Sequence, residues 1–236
     1  MSFSNTSCEA GLTKTPDYPS GNGCSTRAAS LQDLRVEECA IADVRAFIEA
    51  HHYSRTTRGV TPSHCFKVCV GGQLVGAAIF GLPGMRESIA KYSEQGKYNL
   101  VELRRFCMID DTPRNAESKV LSIMLRAIRK QGVQRILSYA DPNFGHVGTI
   151  YKALGFQLLG QTAAVSVVLY KDRVVKPSSL DRCRRWSTRA INRFKNYENK
   201  DAGLTPFAQE VRDALRSGDA VKRREAGKFI YVKDLI

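Results

Sequence analysis

The chain has no long apolar run and no secretory start. None of its segments approaches the roughly 18 consecutive apolar residues that mark a membrane span. It begins MSFSNTSCEAG, without a basic start followed by an apolar block. These absences argue against a helical membrane protein, and we expect a cytoplasmic protein without a membrane partner.

A cysteine framework is also lacking. The seven cysteines are odd in number and irregularly spaced, which argues against structural disulfides. Cys65 and Cys69 lie in HCFKVCV, which has the pattern of a strand. A strand holds residues four apart at about 13 Å, too far for one zinc ion whose thiolate ligands lie about 2.3 Å from it. We interpret the cysteines as mostly buried thiols.

Negative charge is scarce, with 23 acidic residues against 36 basic ones and a formal net charge of +13. This balance is typical of proteins that bind nucleic acid. Residues 171–200 hold ten basic and three acidic residues, interleaved with three aromatic ones. The mixture suits phosphate contacts together with base packing, and the alternative is a solvated helix face. We favour the first and expect DNA contacts from Arg182, Arg184, Arg185, Arg189 and Arg193.

The order of patterns predicts a mixed α/β domain. Residues 1–30 are rich in Ser, Thr, Gly and Asn, which predicts a disordered leader. Residues 31–172 alternate strand and helix patterns, and the helix predicted from PRNAESKVLSIMLRAIRKQG carries one apolar stripe for packing on a sheet. Residues 173–236 predict a basic, mostly helical C-terminal extension that closes with KFIYV as a last strand. The fold class is therefore α/β with a mixed sheet.

The segment YADPNFGHVGTIYKALGF (139–156) predicts a strand, an Asp-Pro turn and a helix that begins near Phe144. Gly145 and Gly148 fall on the first turns of that helix. Free N–H groups and the absence of a Cβ there let an anionic ligand approach the backbone. Tyr151 lies on the apolar stripe of the same helix, so periodicity alone leaves open whether it is a core aromatic or a catalytic residue.

The loop DDTPRNAESK (110–119) precedes the other long helix and contains no glycine. Asn115 suits the N-cap of that helix, and Ser118 can complete the cap. The alternative is an anion site formed by the helix N-terminus and Arg114, and we expect Arg114, Asn115 and Ser118 to contact the donor. A glycine-rich cradle that binds a pyrophosphate through backbone amides is not predicted here.

Several motifs resemble known families. YKALGF resembles the helix of GNAT acyltransferases whose tyrosine protonates the leaving thiolate. EAHHYSR (49–55), ELRRF (102–106), PRNAES (113–118) and the 139–156 segment together resemble the Mom family of Mu-like phages. That resemblance implies a GNAT-like fold and a transferase that places an acetamido (carbamoylmethyl) group on the exocyclic amine of adenine in phage DNA. The modification shields the DNA from restriction in the bacterial host cytoplasm.

The resemblance also implies the site residues. It assigns catalytic roles by motif to His52, Tyr53, Arg105, Asp141 and Tyr151, and a donor-binding role to Ser118. It implies acetyl-CoA as donor and iron as a bound metal. Imidazole and phenolate both suit iron, so His52 and Tyr53 are the candidate ligands. For His52 the alternative is a histidine that interacts with the C-terminal dipole of its helix.

The implied reaction makes demands on the site. The adenine amine is a weak nucleophile that must lose a proton, for which Asp141 is a candidate acceptor. In double-stranded DNA the adenine must be flipped out of the helix, and Phe144 could stack on it. Seen from the base, the added group is a glycinamide unit, so glycine carried on tRNA (glycyl-tRNA) is an alternative donor.

Two other functions remain open. The chain could be a GNAT acetyltransferase acting on a protein or a small-molecule amine, although the basic C-terminal region and the glycine-free loop favour DNA. It could also be a catalytically inactive GNAT-like module that binds DNA. The presence of Asp141 and Tyr151 beside the His-Tyr pair favours an enzyme.

Overall fold

A computed structural model of the protein describes residues 30–171, 173–175 and 206–235. The predicted leader up to residue 29 lies outside these ranges. So do the five candidate DNA-binding arginines, which are Arg182, Arg184, Arg185, Arg189 and Arg193. Within the described ranges, no helix has both the length and the apolar character needed to cross a membrane.

Strands form a large mixed sheet and a small one, which confirms the predicted α/β class. The large sheet has the order β1-β2-β3-β4-β5-β10-β6, in which only β4 and β5 are parallel, and the small one has the order β8-β7-β9. The strands are β1 (Arg35–Cys39), β2 (Pro62–Val70), β3 (Gln73–Gly81), β4 (Leu100–Met108), β5 (Arg135–Ala140), β6 (Gln157–Gln161), β7 (Val165–Tyr170), β8 (Arg173–Val175), β9 (Val221–Glu225) and β10 (Phe229–Asp234).

Helices cover both faces of the large sheet. Side chains alternate along a strand, so Ala78 and Phe80 of β3 face one helix layer, while Ala77 and Ile79 face the other. The predicted apolar stripe of the longest helix is buried against the first of these faces. The helices in the described ranges are α1 (Ile41–His51), α2 (Arg86–Tyr92), α3 (Ala116–Lys130), α4 (Thr149–Ala153) and α5 (Pro206–Ser217).

The C-terminal part of the chain contributes to both sheets. β10 lies between β5 and β6, so the large sheet includes a strand from beyond residue 172. The small sheet packs on α5 through a separate apolar cluster that includes Val168, Tyr170 and Val211. The described part of the predicted helical extension thus holds one helix and three strands. The division at residue 172 stays a prediction.

The helix predicted to begin near Phe144 is interrupted. Pro142–Phe144 form a single 3₁₀ turn, and the α-helix begins only at Thr149. Gly145 and Gly148 cause the break, because both have positive φ, 75° and 76°, in the left-handed region. The five-residue α4 is too short for the strong N-terminal dipole on which the predicted anion site depended.

Gly148 should be the less replaceable of the two glycines. A Cβ at Gly148 would overlap the ring of Tyr231, whereas a Cβ at Gly145 meets open space. We expect Gly145→Ala to cost about 1–2 kcal/mol for the left-handed backbone alone, and Gly148→Ala about 2–5 kcal/mol because overpacking is added. Chemical denaturation of both variants measures the difference. Equal losses would contradict the contact with Tyr231.

Candidate functional site

The candidate site is a cleft where the two parallel strands separate. β4 and β5 pair only over Leu100–Leu103 and Arg135–Ser138. Beyond that point β4 continues along β3, while β5 ends at Ala140. The gap is a cleft of about 630 Å³. The predicted site residues that line it are His52, Tyr53, Arg105, Asn115, Ser118, Gly145, Gly148 and Tyr151.

His52 is buried at the C-terminus of α1 and has a defined tautomer. The backbone N–H of Ser54 donates to Nδ1 at 3.1 Å, and Ser54 Oγ lies 2.9 Å from the same nitrogen. Since a backbone N–H can only donate, Nδ1 accepts and the neutral ring carries its proton on Nε2. Burial, together with the nearby Arg105, lowers the pKa of His52 to about 4. His52 is therefore a neutral hydrogen-bond donor near pH 7.

The low pKa of His52 predicts a loss of stability in acid. The folded pKa of about 4 lies below the ordinary value of 6.5, so the contribution is fully present above pH 6.5 and is lost as the pH falls toward 4. We expect about 2 kcal/mol of this loss between pH 7 and pH 5. His52→Gln should flatten the pH dependence of the unfolding free energy by that amount, whereas His51→Gln, at an exposed neighbour, should not. Equal pH dependence in all three proteins would contradict the buried neutral ring.

Aromatic side chains form an exposed rim at the mouth of the cleft. The ring of Tyr53 lies 4.3 Å from that of His52, 4.5 Å from that of Phe144 and 5.3 Å from that of His146, centroid to centroid. Phe144 is 51% exposed, and it borders the cleft through Tyr53. Exposed aromatic faces in contact with each other offer a stacking surface for a flat ring such as a nucleobase.

Tyr151 also lines the cleft. Its ring packs against Phe156 and Tyr231, with centroids 5.3 and 5.2 Å away. Burial raises the pKa of Tyr151 to about 12, although the nearby Ser138 hydroxyl acts in the opposite direction. Tyr151 therefore packs with the core and also presents a protonated phenol to the cleft, so the two interpretations of the sequence are both compatible with its position.

Arg105 supplies positive charge behind the rim. Its Nε donates to the Thr56 carbonyl at 2.9 Å, and Nη1 donates to the Arg104 carbonyl at 2.7 Å. Burial lowers the pKa of Arg105 below its ordinary value, which is so high that the guanidinium stays charged. These bonds fix the loop after α1 against β4 and keep a cation beside His52.

Asp141 is not among the residues that line the cleft. It is buried, its Oδ2 pairs with Lys228 Nζ at 2.9 Å, and its Oδ1 accepts from the backbone N and Nδ2 of Asn143. Burial raises the pKa of the Asp141 carboxyl, but Lys228 and Asn143 outweigh this and hold it below its ordinary value. A carboxylate so engaged is a weak base. Its geometry fits the positioning of the Phe144 turn better than the predicted acceptance of a proton from adenine.

The glycine-free loop only partly matches the donor site expected from the sequence. Asn115 is the residue before α3 as predicted, but with φ of 67° its side chain makes no capping hydrogen bond. Instead Ser118 Oγ donates to the Asn115 carbonyl at 3.1 Å. Arg114 is exposed and does not line the cleft, whereas the carboxylate-bearing Glu117 does. A carboxylate at this position does not fit a pyrophosphate cradle.

The donor set does not fit an iron centre. Nε2 of His52 carries the proton, and moving it to Nδ1 would set two N–H groups against each other at Ser54. Tyr53 is adjacent, yet no group of three or more His, Cys, Asp or Glu side chains in the described ranges is arranged to hold a metal ion. In this structure His52 offers an N–H donor at Nε2, and Tyr53 offers an exposed ring.

Sequence reasoning missed three contributors to the site. Lys228 pairs with Asp141 and lies 6.0 Å from the centre of the Tyr53 ring. The Tyr231 hydroxyl donates to the Val147 carbonyl at 2.8 Å. Ser54 fixes the tautomer of His52. Tyr231 lies on β10 and Lys228 directly precedes it, so both reach the site through contacts with β5 and with the region of β6 and Thr162, for which the local pattern gives no signal. Ser54, by contrast, lies within the EAHHYSR motif.

Comparison with known proteins gives a family match and distant structural likenesses. The model of the Mom protein family matches residues 33–212. Methylcarbamoylase mom of Escherichia phage Mu is 33% identical over 135 residues, 55% of this chain and 54% of that protein. The match thus spans about half the length of this curated relative.

Two solved structures illustrate the structural likenesses. A polyamine N acetyltransferase of Drosophila melanogaster is 13% identical, with a TM-score of 0.49, 86% of this chain and 100% of that chain covered. A GNAT family acetyltransferase from Elizabethkingia anophelis with acetyl-CoA bound is 7% identical, with a TM-score of 0.45 and coverage of 86% and 99%. Likeness at this level carries no activity with it.

Proposed function

The chain belongs to the Mom protein family, and from this premise we propose that it is a DNA-modifying transferase. It adds a carbamoylmethyl (acetamido) group to the exocyclic amine of adenine in phage DNA and so protects that DNA from restriction. The phage Mu relative is named a methylcarbamoylase. The observation that carries the proposal is the cleft, where a protonated phenol, a neutral imidazole and an arginine lie behind an exposed aromatic rim.

The rim supports a flipped adenine as the substrate. An enzyme that acts on a base in double-stranded DNA must take the base out of the stack and bind it in a pocket. Tyr53 and Phe144 present the stacking surface, and Lys228 adds a positive charge next to it. The Nε2–H of His52 can donate to a ring nitrogen or to the reacting carbonyl oxygen. DNA contacts from the arginines of residues 182–193 are part of the proposal.

Tyr151 supports the proton transfer. The amine attacks the carbonyl carbon of an activated acyl donor, the new N–C bond forms, and the bond from that carbon to the carrier breaks. Tyr151 gives its proton to the leaving atom, and the resulting phenolate takes the proton of the attacking nitrogen. Because its pKa is about 12, the phenolate recovers that proton readily.

The product constrains the donor. Acetyl transfer from a coenzyme A thioester joins the base through a carbonyl carbon, whereas a carbamoylmethyl group is joined through a methylene carbon. A glycyl ester carried on tRNA can give attachment through the methylene carbon without any oxidation or reduction. After glycyl transfer, the free glycyl amine attacks C6 of adenine, and the bond from C6 to the original nitrogen breaks. The original nitrogen takes up the proton that the glycyl amine loses and becomes the nitrogen of the carboxamide. The loop at Glu117, which does not fit a pyrophosphate cradle, favours this donor over coenzyme A.

The donor is tested with purified protein and double-stranded DNA. We expect carbamoylmethyl adenine with glycyl-tRNA, at the same rate in the presence of a chelator, and none with acetyl-CoA. With heavy-nitrogen glycine, the label should remain on the adenine ring after hydrolysis of the carboxamide. Label released as ammonia would rule out the rearrangement. Product formed from acetyl-CoA only in the presence of iron would overturn the carried-glycine donor.

Two alternatives are weaker. An acetyltransferase for a protein or small-molecule amine has no need of the exposed stacking rim at Tyr53 and Phe144. An inactive DNA-binding module has no need of a buried phenol that lines the cleft. DNA binding without modification by any donor would favour the second alternative.

A further inference from the structure

A second groove lies on the loop that follows α1. It has a volume of about 680 Å³, and three arginines line it, namely Arg45, Arg55 and Arg58. We call it the arginine groove. One acidic side chain, Glu49, also lines it, so the local balance is strongly positive.

The local sequence brings the three arginines together. Arg45 and Glu49 are one helical turn apart on α1 and share a face. The Glu49 carboxylate accepts from Thr57 Oγ1 at 2.8 Å, which ties the loop to the helix and places Arg55 and Arg58 beside Arg45. Arg55 has a φ of 48°, in the left-handed region that non-glycine residues avoid.

The guanidinium groups have no partner among the described residues. Within the described ranges, no ion pair or hydrogen bond involves the guanidinium groups of Arg45, Arg55 or Arg58, although the backbone N–H of Arg58 donates to Thr56 Oγ1 at 3.1 Å. Glu49, the acidic residue within reach, is already engaged by Thr57. Guanidinium groups are planar donors that match the oxygens of a phosphate.

The groove and the cleft share a wall. Thr56 lines the arginine groove, while its carbonyl accepts from Nε of Arg105, which lines the cleft. His52 and Tyr53 lie only a few residues before the loop arginines. A strand whose base enters the cleft therefore passes close to the groove.

We propose that the arginine groove binds backbone phosphates of the DNA strand that carries the target adenine. This inference rests on the proposed function, because DNA must be the substrate. The groove holds the strand in position, while the aromatic rim receives the base. Contacts of this kind are independent of sequence and depend strongly on salt.

The test is the salt dependence of DNA binding by a triple variant, Arg45→Ala, Arg55→Ala and Arg58→Ala. Each lost phosphate contact removes about 0.9 from the slope of log affinity against log salt. We expect the slope to fall by about 2 to 3 and binding to weaken by roughly 10²-fold at about 0.1 M salt. The matched control removes the same charge from exposed residues of α3, on the opposite face of the sheet, by Arg126→Ala, Arg129→Ala and Lys130→Ala. It should change the slope by less than about 1.

The possible outcomes distinguish failure of the groove proposal from failure of the proposed function. If the wild-type protein binds DNA and both triple variants bind equally well, the groove proposal is overturned while the proposed function stands. If the wild-type protein binds no DNA, the proposed function itself fails. Loss of tRNA binding with unchanged DNA binding would also overturn the proposal, because the groove would then hold the donor. Thermal unfolding of both variants checks that they fold.

Discussion

Replacing Tyr151 by Phe should lower the rate of adenine modification by about 10²–10⁴-fold, the usual contribution of a general acid. A phenol with the ordinary pKa is already protonated at neutral pH, and burial raises the pKa of Tyr151 further, to about 12. Phe keeps the ring that packs on Phe156 and Tyr231. DNA affinity and thermal stability should therefore stay close to those of the wild-type protein. Single-turnover modification of a DNA duplex, followed by nucleoside analysis, measures the rate.

The matched control is Tyr139→Phe, which removes the phenolic hydroxyl of another tyrosine that lines the same cleft. The Tyr139 hydroxyl lies 3.4 Å from Ser88 Oγ. We expect at most a several-fold effect. Full activity of Tyr151→Phe would show that Tyr151 is only a core aromatic, and equal losses in both variants would show a general response of the cleft.

Removing the aromatic rim with Tyr53→Ala and Phe144→Ala should weaken binding of substrate DNA by about 1–3 kcal/mol, the usual contribution of stacking for one base. The rings are exposed and touch each other, so their removal should change the free energy of unfolding little. The effect should be largest for DNA with an unpaired adenine, which enters the cleft without the cost of flipping. Equilibrium binding of paired and unpaired duplexes measures it.

A matched control for the rim is Phe207→Ala, at an exposed phenylalanine at the start of α5. It removes a similar apolar surface outside the cleft and should leave the affinity unchanged. Phe144→Trp should retain binding, because Trp also offers a stacking face. Equal affinities of the rim variant and the Phe207 variant would contradict a base-binding role for the rim.

The hydrophobic pattern of the sequence predicted the helices and strands that bury only one of their faces. The apolar stripe that includes Val120, Met124 and Ile128 is buried on the sheet as predicted, since a 3.6-residue period directly encodes a helix face. The break at Gly148 was not predicted, because the same apolar period runs through residues 147–154 and a glycine alone does not end a helix. The close approach of Tyr231, which is distant in sequence, explains why this position has no room for a side chain.

The chemistry of the site was less predictable than its composition. Motifs placed His52, Tyr53, Arg105 and Tyr151 around one cleft, because they lie on elements that meet where β4 and β5 separate. The protonation of His52 depends on a backbone N–H two residues later, and the engagement of Asp141 depends on a lysine 87 positions away. Neither contact can be predicted from the hydrophobic periodicity of the sequence.

Nucleoside mass spectrometry of DNA from cells that produce this protein tests the central claim most directly. The proposed function predicts an adenine nucleoside whose mass is raised by a carbamoylmethyl substituent, present with the wild-type protein and strongly reduced with Tyr151→Phe. Unmodified adenine in the DNA, accompanied by acylated protein or small amines in the same cells, would contradict it.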